Sequence, residues 1–414
     1  MHWLTAVYLA ALLAGTVLRL WLGARQIASA RTHRERVPEP FTAAVSPAEH
    51  RKAADYTVAR VRLGALETLI DAGVALAFTL GGGIAAIDEL WRATGWGEPW
   101  LGAGVVVTVL AGTWLAALPL SLWRTFRTEA AFGFNRTTPA LYALDRLKGL
   151  AVALVLGGPL LLAILWLMAH AGRAWWFYVW LVWVGVSLFL AWGWPAFVAP
   201  LFNRFSPLAD ESLKSRIEAL LARCGFASKG VFVVDSSRRT AHGNAYFTGV
   251  GRHKRIVFFD TLLEQLAATE IEAVLAHELG HFRLRHVRQH LIVSAAASLA
   301  LLALLAWLAE QRWFYAALGV AVPSVHAALL LYVLVVPAFV FFLTPIAALW
   351  SRRHELAADR FAAEHASASE LSAALVKLYR DNAATLTPDA IASAFYDSHP
   401  PALARIAQLK ALAR

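Results

Sequence analysis

The sequence predicts a mostly α-helical, multi-pass membrane protein: a seven-span helical bundle with a small α+β part on one face of the membrane. Three observations predict it. Hydrophobic residues make up 59% of the 414 residues and charged residues only 16%, where an average soluble domain carries about 25% charge. The apolar residues are gathered into seven runs, each near the ~20 residues that cross a ~30 Å hydrocarbon layer. Basic residues are gathered in alternate loops between those runs, the pattern of membrane topology.

The runs lie near 3–22, 65–87, 101–123, 149–171, 174–196, 288–309 and 325–350. The first resembles a secretory signal in having Ala28-Ser29-Ala30 downstream. No basic residue precedes it and several follow, so it reads as a retained span. The second is the weakest, because it holds Glu67, Asp71 and the run Gly81-Gly82-Gly83. The fourth and fifth are joined by a few residues around Arg173, which predicts an antiparallel hairpin. The loop after the first run carries Arg25, Arg31, Arg34, Arg36, Arg51, Lys52, Arg60 and Arg62. The loop after the second carries Asp88, Glu89 and Glu98 against Arg92, and the loop after the third is basic again. By the positive-inside rule the odd-numbered loops are cytoplasmic and the N-terminus lies outside. The chain then divides into residues 1–196 with spans one to five, a cytoplasmic segment 197–287, spans six and seven in 288–350, and a cytoplasmic tail 351–414. The two cytoplasmic segments lie on one side of the membrane and can build one site.

Several classes are excluded. The aliphatic content and seventeen tryptophans exclude intrinsic disorder. The net charge of +10 sits beside apolar runs rather than in a separate basic face, which points to a lipid bilayer as partner and not to nucleic acid. Cys224 is the single cysteine, so there is no intramolecular disulfide and no cysteine cage for zinc. Any metal must be held by His, Asp or Glu.

Within the first cytoplasmic segment, residues 209–223 predict an amphipathic helix, with Leu213, Ile217, Leu220 and Leu221 at helical spacing and Gly225 to stop it. Residues 230–235, 244–249 and 255–259 predict short strands of a small mixed sheet. A helix follows over 268–286. No proline interrupts 262–286, and the helix is expected to run on into span six, which puts His281 ~15 Å from Leu291.

That helix carries His277-Glu278-Leu279-Gly280-His281. Residues four apart on a helix lie one ~5.4 Å turn above each other, so the two imidazoles can face one metal with Glu278 beside them as a general base. This is the zincin arrangement. Position 287 is Val287, so the third histidine of a metzincin is missing. A catalytic zinc commonly takes three protein ligands, and the third must come from elsewhere. The leading candidate is Glu355, in Ser351-Arg352-Arg353-His354-Glu355-Leu356-Ala357-Ala358-Asp359 just after span seven. Asp359, four residues on, can orient a ligand imidazole. His354 is the rival ligand, turned ~100° away from Glu355 around the helix. A transporter or lipid-binding protein with an incidental His pair is the alternative of another class, since Arg19, Glu67 and Asp71 interrupt apolar runs. The same charges suit a water-filled chamber.

The chain resembles the type I CAAX prenyl protease family, seven-span zinc metallopeptidases of the endoplasmic reticulum with bacterial relatives. The resemblance rests on His277–His281, on Ser351-Arg352-x-x-Glu355-x-x-Ala358-Asp359, on Asn244-Ala245-Tyr246-Phe247-Thr248-Gly249 and on Ser398-His399-Pro400-Pro401 with Arg405. It rests also on Phe132-Gly133-Phe134-Asn135 and Leu201-Phe202-Asn203-Arg204-Phe205. It implies a bundle enclosing a chamber, one Zn2+ per chain, Glu355 as third ligand and Glu278 as catalytic base. It further implies that Asn244 lies on an edge strand pairing with substrate, that His399 sits near the scissile carbonyl, and that Arg405 is close by as a substrate-binding residue. The residues alone say less. Pro400-Pro401 holds the chain extended after His399, Asn244 reads as a turn residue, and Arg405 reads as a solvated helix face. The implied activity is cleavage near the C-terminus of prenylated or other membrane-associated peptides. A heat-shock-type quality-control membrane metalloprotease is the enzyme alternative. The composition, rich in Arg, Ala, Leu and Trp, suggests a high-GC bacterium and hence its inner membrane. No role is assigned to residues 23–62.

Overall fold

The computed structural model of the chain describes residues 2–248 and 253–413; Gly249, the last residue of the Asn244 motif, lies outside them. Six helical stretches are long and apolar enough to cross a membrane: Trp3–Thr32, Trp100–Glu129, Pro139–His170, Gly172–Phe202, His286–Ala309 and Val325–His365. The weakest predicted run is the seventh, a pair of helices, Pro47–Phe78 and Gly83–Arg92, bent by 50° at their junction. The glycine triplet is the cause. Gly82 adopts φ +77°, and a Cβ on Gly81 would lie 2.7 Å from the Ala77 carbonyl oxygen. Several spans outrun their apolar cores, so that Trp3–Thr32 and Val325–His365 carry the chain well beyond the lipid on the side of the basic loops.

Three spans contain wide π turns, at Arg124–Glu129, Ala153–Gly157 and Trp194–Val198. Each has a proline nearby: Pro119, Pro159 and Pro195. Proline removes an intrahelical hydrogen bond and locally widens or kinks a helix. The outer faces of these helices leave large apolar side chains uncovered, Val155 at 69% and Trp123 at 59%. Such a band is costly in water and expected against lipid.

The sheet has the order β1-β2-β4-β3, with β1 (Phe205–Pro207), β2 (Ala227–Val234), β3 (Ala245–Thr248) and β4 (His253–Phe259). β2 and β4 are parallel and the other pairs antiparallel. The mixed sheet matches the expectation. β1 does not, because three residues ending in proline give no periodic signal. β3 is an edge strand. The helix Glu211–Arg223, capped by Asp210, buries the four predicted apolar residues against the sheet.

The expected continuous helix from 268 into span six is contradicted. The chain forms a short helix Asp260–Gln265, then Ala268–Arg283, breaks at Leu284 and Arg285, and restarts as His286–Ala309. Arg285 sits at φ +62°, a conformation uncommon outside glycine, so no sequence signal announces the turn. The ~15 Å path along one helix therefore does not exist.

The described residues form three apolar cores, the smallest around Tyr56 and Phe134. Of the larger two, one lies between the spans and includes Tyr8, Ile84, Val105, Leu305 and Leu331. The other joins the sheet to the helices around it and includes Ile217, Ile256, Phe258, Leu275, Leu371 and Ile406. Phe41 and Val45 belong to this second core, and Ser46 closes a capping box with Glu49. Residues 23–62 are thus a strap that pins the first two spans to the soluble core.

Candidate active site

The helix Ala268–Arg283 is amphipathic by construction. Ile271, Leu275 and Leu279 face the core, and His277 and His281 lie one turn apart on the adjoining face. It crosses the helix Thr344–His365, which brings Glu355 over the two rings. His277 Nε2 and His281 Nε2 are 3.3 Å apart. Glu355 Oε2 is 3.4 Å from the first and Oε1 3.3 Å from the second. Donors held at ~2.05 Å in a tetrahedron lie ~3.3 Å from one another, so the spacing fits one zinc-sized ion. Glu355 Oε2 is buried and has no hydrogen-bond partner. An uncompensated carboxylate oxygen is costly to bury, and a cation at this point would satisfy it. Among the described residues, no other group of three His, Cys, Asp or Glu side chains converges in this way. His354 does not. Its ring lies flat on His286, centroids 3.9 Å apart and planes at 6°.

Behind the ligands lies a buried ionic pair. Asp359 is fully buried and accepts from His277 Nδ1 at 2.9 Å. Arg405 donates to it through Nε at 2.8 Å and through Nη2. Only 5% of Arg405 is exposed, which corrects the reading of a solvated helix face. Its guanidinium is taken up by Asp359, with Nη1 3.9 Å from Glu355. Burial pulls the His277 imidazole towards neutrality, but the neighbouring carboxylates of Asp359 and Glu355 prevail and push its pKa up to about 9.

Glu278 is half-buried beside the ligands and makes no ion pair among the described residues. His399 Nε2 reaches to 3.4 Å from Glu355 Oε2, and its side chain is 59% exposed at the mouth of the site. Arg352 aims it: the guanidinium donates to the carbonyls of Ala394 at 3.1 Å and Asp397 at 2.8 Å, tying down the end of the helix Ala390–Tyr396. Sequence reasoning gave Arg352 no role, although an arginine three residues before a ligand on the same helix is a visible signal. Asn244 is exposed at the start of β3. Its carbonyl accepts from Phe259 N at 2.9 Å, and its side chain accepts from Ala245 N at 2.8 Å. Phe247 of β3 packs on Phe282 at 6.0 Å, which seats the edge strand beside the metal helix.

A cavity of 1310 Å³ opens from His399 and Pro401 into the space between the spans. Arg19, Glu67 and Arg124 line it, and Glu67 pairs with Arg124. These charges within apolar runs face a chamber. Phe134 and Asn135 of the first loop motif line it, as does Arg239, which reaches Asn203 of the second. Arg239 grips Asp145 through two bonds and takes Asn203 Oδ1 at 3.0 Å, while Glu129 accepts from Tyr56 at 2.8 Å.

Comparison with known proteins completes the description. The family model for the CAAX prenyl protease N-terminal region of five membrane helices matches residues 26–204, and that for peptidase family M48 matches residues 207–413. The chain is 35% identical to CAAX prenyl protease 1 homolog of Oryza sativa over 308 residues, 73% of this chain and 71% of the rice protein. It is 34% identical to CAAX prenyl protease 1 of Saccharomyces cerevisiae, over 71% of this chain and 69% of that one. It is 31% identical to the Homo sapiens homolog over 79% of both. The crystal structure of S. mikatae Ste24p superposes with a TM-score of 0.89 at 27% identity, covering 99% of each chain.

Proposed function

This chain belongs to peptidase family M48, as an integral membrane metalloprotease of the CAAX prenyl protease type, and from that premise we propose how its residues divide the work. His277, His281 and Glu355 hold one zinc ion. The observation that carries this is the triangle of donors with 3.3–3.4 Å edges closed over an unsatisfied carboxylate oxygen. When bound, zinc supplies a Lewis acid that polarises a carbonyl and acidifies water.

The protein's own groups do the rest. Glu278, free of other partners, takes a proton from the attacking water and delivers it to the leaving amine. His399 donates from Nε2 to the carbonyl oxygen as charge develops there. Asp359 fixes the His277 ring with Nδ1 protonated, and Arg405 holds Asp359. The free edge of β3, beginning at Asn244, pairs with an extended substrate backbone. Substrates are membrane-associated peptides cut near their C-terminus, prenylated ones included, that reach the centre through the chamber. The basic loops support a site on the cytoplasmic face, and the composition supports the inner membrane of a bacterium.

Glu278→Gln tests the assignment. It should retain one zinc per chain by metal analysis and lose at least ~10³-fold in peptidase turnover, whereas His277→Ala should lose the metal itself. Turnover surviving in Glu278→Gln would remove this residue from the reaction.

A further inference from the structure

The two ligand histidines are supported differently. His277 leans on the carboxylate of Asp359. Among the described residues, His281 has no carboxylate at its Nδ1. Its Nδ1 lies 3.0 Å from His286 Nδ1, on a residue that no part of the zinc motif includes. We infer that His286 is a positioning residue for the metal centre: it holds His281 in the ligating orientation. The inference rests on the zinc reading given above.

The chemistry fixes the direction of the bond. An imidazole that ligates through Nε2 carries its proton on Nδ1, so His281 is the donor and His286 Nδ1 the acceptor. His286 must then be the neutral tautomer protonated at Nε2. The backbone is built to deliver this acceptor. Arg285 at φ +62° turns the chain back between the two helices, and His286, only 5% exposed, points at the ring five residues earlier. Its opposite side is packed as closely. The ring stacks on His354, centroids 3.9 Å apart and nearly parallel, and His354 is backed by Trp350 at 4.9 Å and His290 at 5.3 Å. His354 immediately precedes Glu355. The two stacked imidazoles therefore tie the start of the helix His286–Ala309 to the helix that supplies the third ligand.

Two substitutions separate positioning from packing. In asparagine, Oδ1 occupies the place of histidine Nδ1, so His286→Asn keeps the acceptor and removes the stack. His286→Phe keeps a ring on His354 and removes the acceptor. The zinc dissociation constant of the purified full chain is measured by chelator competition, with the cobalt(II) absorption spectrum as a second report on ligand geometry. Loss of a partner behind a ligand typically weakens metal binding 10–100-fold. His286→Phe should show a loss of that size and an altered cobalt spectrum, while His286→Asn stays within ~3-fold of the parent. An affinity in His286→Phe within ~3-fold of the parent, or equal losses in both variants, overturns the inference. Should the phenylalanine variant not fold, His286→Leu takes its place with the same reading. A parent chain that binds no zinc would defeat the metal reading and this one together, whereas parent-like binding in His286→Phe defeats this one alone.

Discussion

Gly280 and Ala358 set the distance between the two ligand-bearing helices: a Cβ on Gly280 would stand 3.2 Å from Ala358 Cα and 3.2 Å from Phe361 Cβ. The glycine inside the His-Glu-Leu-Gly-His segment is therefore a packing requirement. Gly280→Ala should gain ~1 kcal/mol in helix propensity and lose ~1–3 kcal/mol to overpacking. The helix Thr344–His365 must retreat, and Glu355 with it. The expected result is a small change in melting temperature accompanied by a clear fall in zinc affinity, read by chelator competition.

Arg405 is tied to Asp359 by two bonds in a site closed to solvent. Removing one member of a buried pair strands the other and costs ~3–5 kcal/mol. Arg405→Met should lower stability by that order in denaturant unfolding of the detergent-solubilised protein. Adding Asp359→Asn to it should recover part of the loss, because the stranded charge is gone, while zinc affinity falls further as His277 loses its anionic partner.

His399 and Arg352 should separate in kinetics. His399→Ala is expected to lower kcat by ~10²–10³, the range for losing one oxyanion donor, with metal content unchanged. Arg352→Ala leaves His399 in place but frees the segment that aims it, and a smaller loss of ~10-fold is expected. Metal analysis and steady-state kinetics on one peptide check both.

Asp260 supplies a pH dependence outside the membrane and away from the metal. Burial alone would raise its carboxyl, but hydrogen bonds from Ser237, Ser236 and Thr261 outweigh it and hold the pKa below the ordinary value of 3.8. A depressed folded-state pKa contributes stability that is fully present above the unfolded value near ~3.9 and is lost as pH falls through the folded value. Asp260→Asn should therefore lower the melting temperature at pH 7, by an amount equivalent to ~1–3 kcal/mol. The gap between variant and parent should narrow as pH falls below the unfolded value of ~3.9, which a series of melts at stepped pH measures.

Much of this was legible in the sequence because the signals are local. Long apolar runs mark spans whatever their packing, and even the bent one shows in its three glycines. Two imidazoles four residues apart on a helix declare a shared target. What the sequence hides is long-range. Arg405 reads as a solvated residue because Asp359, its partner, lies 46 positions away. The strap around Phe41 has no pattern, since its only apolar contacts are with the distant soluble core. The turn at Arg285 is invisible for another reason: neither glycine nor proline marks it, and the packing around His286 pays for an unfavourable backbone angle. Glu355 reads as a candidate from its place beside a span, but its approach to both rings depends on Gly280, which looks like one small residue among many.

The outer margin of β3 offers a row of backbone donors and acceptors at the ~3.3 Å rise of an extended chain. Such a berth measures shape before it reads side chains. A helix or a folded hairpin brings no free peptide groups to it, whereas a loose tail of almost any composition does. On the proposed pairing, whatever chain is cut here must first be slack, so the folding state of the substrate acts as the filter, and a well-packed membrane neighbour passes untouched.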